Sequence, residues 1–196
     1  MNEPLDDTAL DTLFRKARSF SYWLDRPVSD EQLHALYELM KWGPTSANSS
    51  PVRIVFVKSD EAKARLKPCL DEGNVAKSMS APVVAIVAMD MEFYEYLPTL
   101  YPHTDARAWF VGKPEAIRNT AFRNSSLQGA YLILAARSLG LDCGPMSGFD
   151  AGKLNAAFFP DGRWKANFIC AIGYGDTGRL RPRGPRLAFD DACRIV

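Results

Sequence analysis

Apolar residues in this 196-residue chain recur at helical spacing in some segments and form short unbroken runs in others. Residues 8–18 place Leu10, Leu13, Phe14 and Ala17 on one face, which predicts a short amphipathic helix. Pro27 interrupts the chain. Ser29 followed by Gln32 then makes a capping box, the start signal of a second helix. Its stripe is Leu33, Leu36, Tyr37 and Met40, and Gly43-Pro44 ends it. Val52 to Lys58 reads as a strand, and Asp60 to Leu70 is helical again. Val83 to Ala88 is continuously apolar, as expected of a strand buried on both faces.

Residues 91–112 lose the periodicity and gain aromatics: Phe93, Tyr94, Tyr96, Tyr101, Trp109 and Phe110. Such a stretch is either a lid over a binding site or a surface excursion packed by its own rings. Pro114 to Leu139 carries the longest helical pattern, with Pro114 suited to the first turn and Gly140 to the cap. Small and apolar residues run most of the way round it, so it is expected to be fully buried, inside the domain or against another subunit. Gly129 and Ala130 would permit close helix approach. Residues 141–150 read as a glycine-containing loop, with Asp150 as N-cap of a helix to Phe159. Phe168 to Gly173 is the last strand, and a short helix is expected after Leu187. Interspersed strands and helices, without repeat or linker, predict a single α/β or α+β sandwich over 1–196.

Composition narrows the partners. Hydrophobic residues make up 47% and charged residues 24%, ordinary for a globular domain. A net charge of +1 gives the whole chain no electrostatic case for nucleic acid or an anionic membrane. The N-terminus is acidic and lacks an apolar signal region, and no run approaches the ~20 apolar residues of a membrane span. Cytoplasmic is therefore the default location. The cysteines Cys69, Cys143, Cys170 and Cys193 are scattered, and with only His34 and His103 available no metal site is expected.

Three segments carry chemistry. Gly43 to Pro51 is a loop of small polar residues between rigid elements. Gly144 to Gly148 offers backbone N–H groups that a ligand can approach closely. Arg179, Arg181, Arg183 and Arg186 cluster among Pro and Gly. They form a solvated tail, a phosphate site or, least favoured, a nucleic-acid patch. There is no Gly-x-Ser-x-Gly elbow and no Walker A loop, and Gly173-Tyr174-Gly175 lacks the remainder of a dinucleotide fingerprint. With few acid–base residues in these loops, the difficult chemistry is expected to belong to a bound cofactor.

Taken in order, Arg18-Ser19, Pro27-Val28, Trp42 to Asn48, Asn74, Lys77, Gly144 to Asp150, Gly173 to Gly175 and Pro185 to Leu187 resemble the flavin-dependent nitroreductase family. The stretches MKWGPTSANSSPVRIVF, EFYEYLP, TAFRNSSLQGAYLI and GLDCGPMSGFD are more similar still to one branch. That branch reduces malonic semialdehyde to 3-hydroxypropionate with NADH or NADPH in oxidative uracil degradation. The resemblance implies a three-layer α/β/α sandwich of the α+β class, with a mostly antiparallel sheet. It also implies a homodimer with FMN at the interface and the long helix in the dimer core.

The resemblance further implies residue roles. Arg18, Ser19 and Arg186, helped by Arg183, would hold the FMN phosphate. Ser46 and Asn48 would reach the flavin from the opposite subunit. Asn74 and Lys77 would meet its pyrimidine edge, and Pro145, Ser147 and Gly148 would form the wall near N5. His103, Arg107 and Arg123 are the candidates for a substrate carboxylate. The departures are Ser21, where many relatives have a base; Ser50-Pro51-Val52, where many have Gln-Pro-Trp; and Ser147, where some have glutamate. The second departure removes an aromatic wall and tilts the reading from nitroarenes toward a small aldehyde. A general nitro- or quinone reductase, and a flavin-binding module without turnover, are the alternatives.

Overall fold

A computed structural model describes residues 3–196. Helix α1 (Asp7–Leu10) runs into a wider π-turn over Asp11–Arg15, closed by Lys16 N–H donating to the Asp11 carbonyl. Helix α2 (Asp30–Met40) starts at the expected capping box, in which Ser29 and Gln32 each hydrogen-bond the other's backbone N–H. Strand β1 (Val52–Val57), helix α3 (Asp60–Leu66), helix α4 (Glu72–Met79) and strand β2 (Val83–Asp90) follow. Short helix α5 (Leu97–Leu100) precedes the long α6 (Pro114–Ser138). The chain closes with β3 (Asp142–Met146), α7 (Ala151–Phe158), β4 (Trp164–Gly173) and α8 (Phe189–Ala192).

The four strands form one sheet in the order β1-β2-β4-β3, with every neighbouring pair antiparallel. Alternation along β2 builds the layers. Val83, Ala85 and Val87 face Leu33, Leu36 and Met40 of α2 and Leu132, Ala135 and Ala136 of α6. Val84, Ile86 and Ala88 face Leu66, Leu154 and Phe159 on the other side. Both faces of β2 are dry, which explains its unbroken apolar run. The class is therefore α+β, helices on both faces of an antiparallel sheet, as expected.

Several local readings change. Residues 142–146 are an edge strand, not a loop. Cross-strand pairing with β4 overrides two glycines and a proline, and Pro145 is tolerated because an edge strand need not donate on its outer side. Helix α4 carries no apolar stripe, since only Ser78 on it is buried, and it left no periodicity to read. Strand β4 begins at Trp164 rather than Phe168, with a bulge that leaves Asn167 unpaired. The Asn167 amide instead donates to Ser125 and Ser126 of α6, both at 2.9 Å.

Helix α6 ends as expected, at Gly140 with φ +73°. It is not fully buried within this chain: Phe122 (55%), Leu127 (48%) and Tyr131 (38%) lie open. Gly129 serves the sheet rather than another helix, because a Cβ there would lie 2.5 Å from the Phe168 ring, and Ala130 sits on the exposed side. Residues 91–112 make a small core of their own from Phe93, Leu97, Ala106 and Phe110, closed by Ile117 and Ala121 of α6. Beneath them the fully buried Asp90 binds Arg53 at 2.7 Å and Arg163 at 2.9 and 3.0 Å.

Candidate functional site

The segment after α1 lies along the outer edge of β3. Phe20 N–H donates to the Cys143 carbonyl at 3.0 Å, and Ser19 bridges Cys143 in parallel. Gly144 permits this approach, since a Cβ would stand 2.3 Å from the Phe20 carbonyl oxygen. Trp23 Nε1 donates to the Lys77 carbonyl at 3.0 Å and ties the same segment to α4. Arg18, Ser19 and Lys77 thereby line one cavity of about 590 Å³, with Ser21, Tyr22 and Arg181 also in its wall. Beside it, Asn74 donates through Nδ2 to the Gly148 carbonyl at 2.7 Å, and Pro145 and Ser147 lie exposed along β3 and the turn after it.

Arg18 and Ser19 also line a second cavity of about 380 Å³, shared with Arg137, Arg183 and Arg186. No carboxylate is in its wall. The guanidinium groups bond only to carbonyl oxygens: Arg18 to Arg181, Arg183 to Arg15 and Ala17, Arg186 to Gly184 and Pro185, and Arg137 to Leu13. Elsewhere Arg15, Arg53, Arg107 and Arg163 are each paired with acids. Four guanidinium groups therefore line one small space, none of them in a side-chain ion pair among the described residues. Ser21 lines the Lys77 cavity and not this one.

The Ser46–Pro51 loop belongs to neither cavity. It is the strained part of the chain: Ala47, Asn48 and Ser50 have φ of +50°, +48° and +40°. Non-glycine residues held there cost on the order of 1 kcal/mol or more each, so the surroundings must impose the shape. Asn124 Oδ1 accepts from Ser46 N–H at 2.8 Å, Gln128 Oε1 accepts from Val52 N–H at 3.0 Å, and Asn48 donates to the Leu100 carbonyl at 2.9 Å. The buried Ser49 hydroxyl has no partner.

The expected carboxylate binders differ in availability. Arg107 is paired at the surface with Glu95 through two bonds of 2.7 and 2.8 Å. His103 is exposed and edge-on to Tyr101. Arg123 stands on the open face of α6 between Phe122 and Leu127. A further cavity, about 1070 Å³ between α2 and β1, contains none of the expected site residues. Arg137 escaped sequence reading because it ends a helix far from any motif. Burial raises the Asp142 carboxyl above its ordinary value, against a 2.9 Å bond from Gly175 N–H and the charge of Arg137. Among the described residues no cluster of His, Cys, Asp or Glu could hold a metal, and no helix is long and apolar enough to cross a membrane.

The fold is an α+β sandwich whose sheet edge carries two cavities with Arg18 and Ser19 in both walls. The model of the nitroreductase family matches residues 14–174. A protein of Burkholderia lata is 63% identical over 191 residues, covering 97% of this chain and 98% of its own. One of Polynucleobacter asymbioticus is 62% identical over 196 residues, with full coverage of both. Both carry the provisional name NADH dehydrogenase/NAD(P)H nitroreductase. A solved nitroreductase-like structure from Exiguobacterium sibiricum, in complex with FMN, superposes with a TM-score of 0.85 at 21% identity, covering both chains fully. The chain belongs to the nitroreductase family.

Proposed function

We propose that this protein is an FMN-dependent NAD(P)H oxidoreductase. The observation that carries the reading is a pair of cavities with Arg18 and Ser19 in both walls, one beside Lys77 and the other lined by arginines that form no ion pair among the described residues. That arrangement suits an elongated ligand with a flat polar end and a phosphate end. Relatives named for NAD(P)H and a neighbour solved with FMN support it. Bound there, FMN would supply hydride transfer between the nicotinamide and an acceptor.

The chain's own residues then take the expected roles. Arg18, Ser19, Arg183 and Arg186 hold the phosphate. Asn74 and Lys77 meet the pyrimidine edge, where the Lys77 cation favours negative charge on the ring. Pro145, Ser147 and Gly148 wall the reactive side. Ser46 and Asn48, apart from both cavities in one chain, complete the site from a second subunit. The open Phe122, Leu127 and Tyr131 of α6 support such a homodimer.

For the acceptor we infer a small aldehyde, malonic semialdehyde, reduced to 3-hydroxypropionate. The resemblance supports this reading: Val52 stands where many relatives carry an aromatic residue. Arg123 is a candidate cation for the carboxylate, because no described residue pairs it. Steady-state rates on malonic semialdehyde, menadione and nitrofurazone test the proposal. Preferential aldehyde reduction is expected. Turnover of only menadione or nitrofurazone overturns the aldehyde assignment, and no turnover of any with NADH or NADPH overturns the oxidoreductase.

A further inference from the structure

Arg137 lies in the last turn of α6 and lines the cavity shared by Arg18, Arg183 and Arg186. One of its Nη atoms donates to the Leu13 carbonyl at 2.8 Å, but its Nε is buried with no hydrogen-bond partner. An unpartnered guanidinium nitrogen shut away from water is costly, so the charge of Arg137 is incompletely satisfied within the chain, and its place in the cavity wall is where an anion can meet it. Asp142 is near enough to feel its charge, yet the two form no ion pair. The carbonyl end of a helix carries partial negative charge, so an anion arriving there needs a cation between itself and the helix. Arg183 and Arg186 sit on the exposed C-terminal segment, whereas Arg137 is half-buried on the longest helix. Its charge is therefore less screened and its position more rigid.

We infer that Arg137 is a phosphate-binding residue of the flavin site, acting with Arg18, Arg183 and Arg186. This inference rests on the FMN reading above. The competing role is purely structural: a tie to Leu13 and a favourable charge at the helix end. Riboflavin, which has the ring and lacks the phosphate, separates the two.

The full chain and its Arg137→Met variant are titrated with FMN and, separately, with riboflavin, following flavin fluorescence. The wild-type chain should bind FMN more tightly than riboflavin. Arg137→Met should raise the Kd for FMN about tenfold or more, the effect of one charge-assisted hydrogen bond, and leave riboflavin unchanged. Arg137→Lys keeps a donor for the Leu13 carbonyl but not the guanidinium fork, and should give an intermediate, FMN-only loss. It serves as the test if the methionine variant does not fold. An unchanged ratio of the FMN and riboflavin constants in the folded variants, or an equal loss for both, overturns the role of Arg137 while leaving the flavin site standing. A wild-type chain that binds no flavin, or shows no preference for FMN, overturns the flavin reading and the inference with it.

Discussion

Substituting Gly148→Ala perturbs the ring end of the proposed site without removing a charge. A Cβ there would lie 2.5 Å from Asn74 Nδ2 and 2.8 Å from an Asp71 carboxylate oxygen. Both atoms are the far ends of side chains that can swing away, so the backbone need not move. What is lost is the 2.7 Å bond from Asn74 to the Gly148 carbonyl, while the 3.2 Å bond from Asp71 N–H to the same oxygen can remain. One half-buried neutral bond is worth about 1 kcal/mol. For a chain of this length that lowers Tm by roughly 2–4 °C. With Asn74 turned out of position, affinity should fall equally for FMN and riboflavin, the opposite of the arginine variants. A double-mutant cycle with Asn74→Ala isolates the contact, because Gly148→Ala should become nearly neutral once the amide is gone. Thermal unfolding and flavin titration are the assays. Additive effects of the two substitutions would refute the argument that displacement of Asn74 is the cause.

Three other outcomes are expected. Gly129→Ala gains about 1 kcal/mol of helix propensity but drives a methyl into the Phe168 ring, an overpacking that costs roughly 1–3 kcal/mol, so urea unfolding should show no gain or a net loss. Asp90→Asn leaves Arg53 and Arg163 without their buried counter-charge and should cost about 3–5 kcal/mol in the same assay. Asp142 has a raised carboxyl, so the folded state holds its proton to higher pH than the unfolded chain. Its stabilising contribution is complete below the ordinary value of 3.8 and is lost as pH rises through the folded value. Asp142→Asn should therefore gain stability relative to wild type as pH climbs from about 4 through the weakly acidic range, read from Tm against pH.

Elements with their own periodicity or punctuation were legible. The Ser29–Gln32 box, the apolar run of β2, and Pro114 with Gly140 bounding α6 all signal locally, because their hydrogen bonds and burial involve near neighbours. Strand β3 and helix α4 were not. The first exists because β4 lies beside it, and the second presents no stripe to its neighbours. The residues expected at the site were likewise nameable from their motif order, yet their grouping was not. Only the fold shows Arg18 and Ser19 in the walls of two cavities, Ser21 beside Lys77 in one of them, and Arg107 paired with Glu95.

The sequence by itself determined the mixture of strands and helices, the helical caps, the polar loop from Gly43 to Pro51 and the cations available to an anion. Each depends on residue type and short-range spacing. The tertiary structure decided that the loop is held in a left-handed shape by Asn124 and Gln128, that Phe168 needs Gly129, and that Arg137 joins three arginines more than 40 positions away or more than 100 before it. Those are contacts between residues far apart in the chain. They arise only when burial of the sheet's two faces brings the distant segments together.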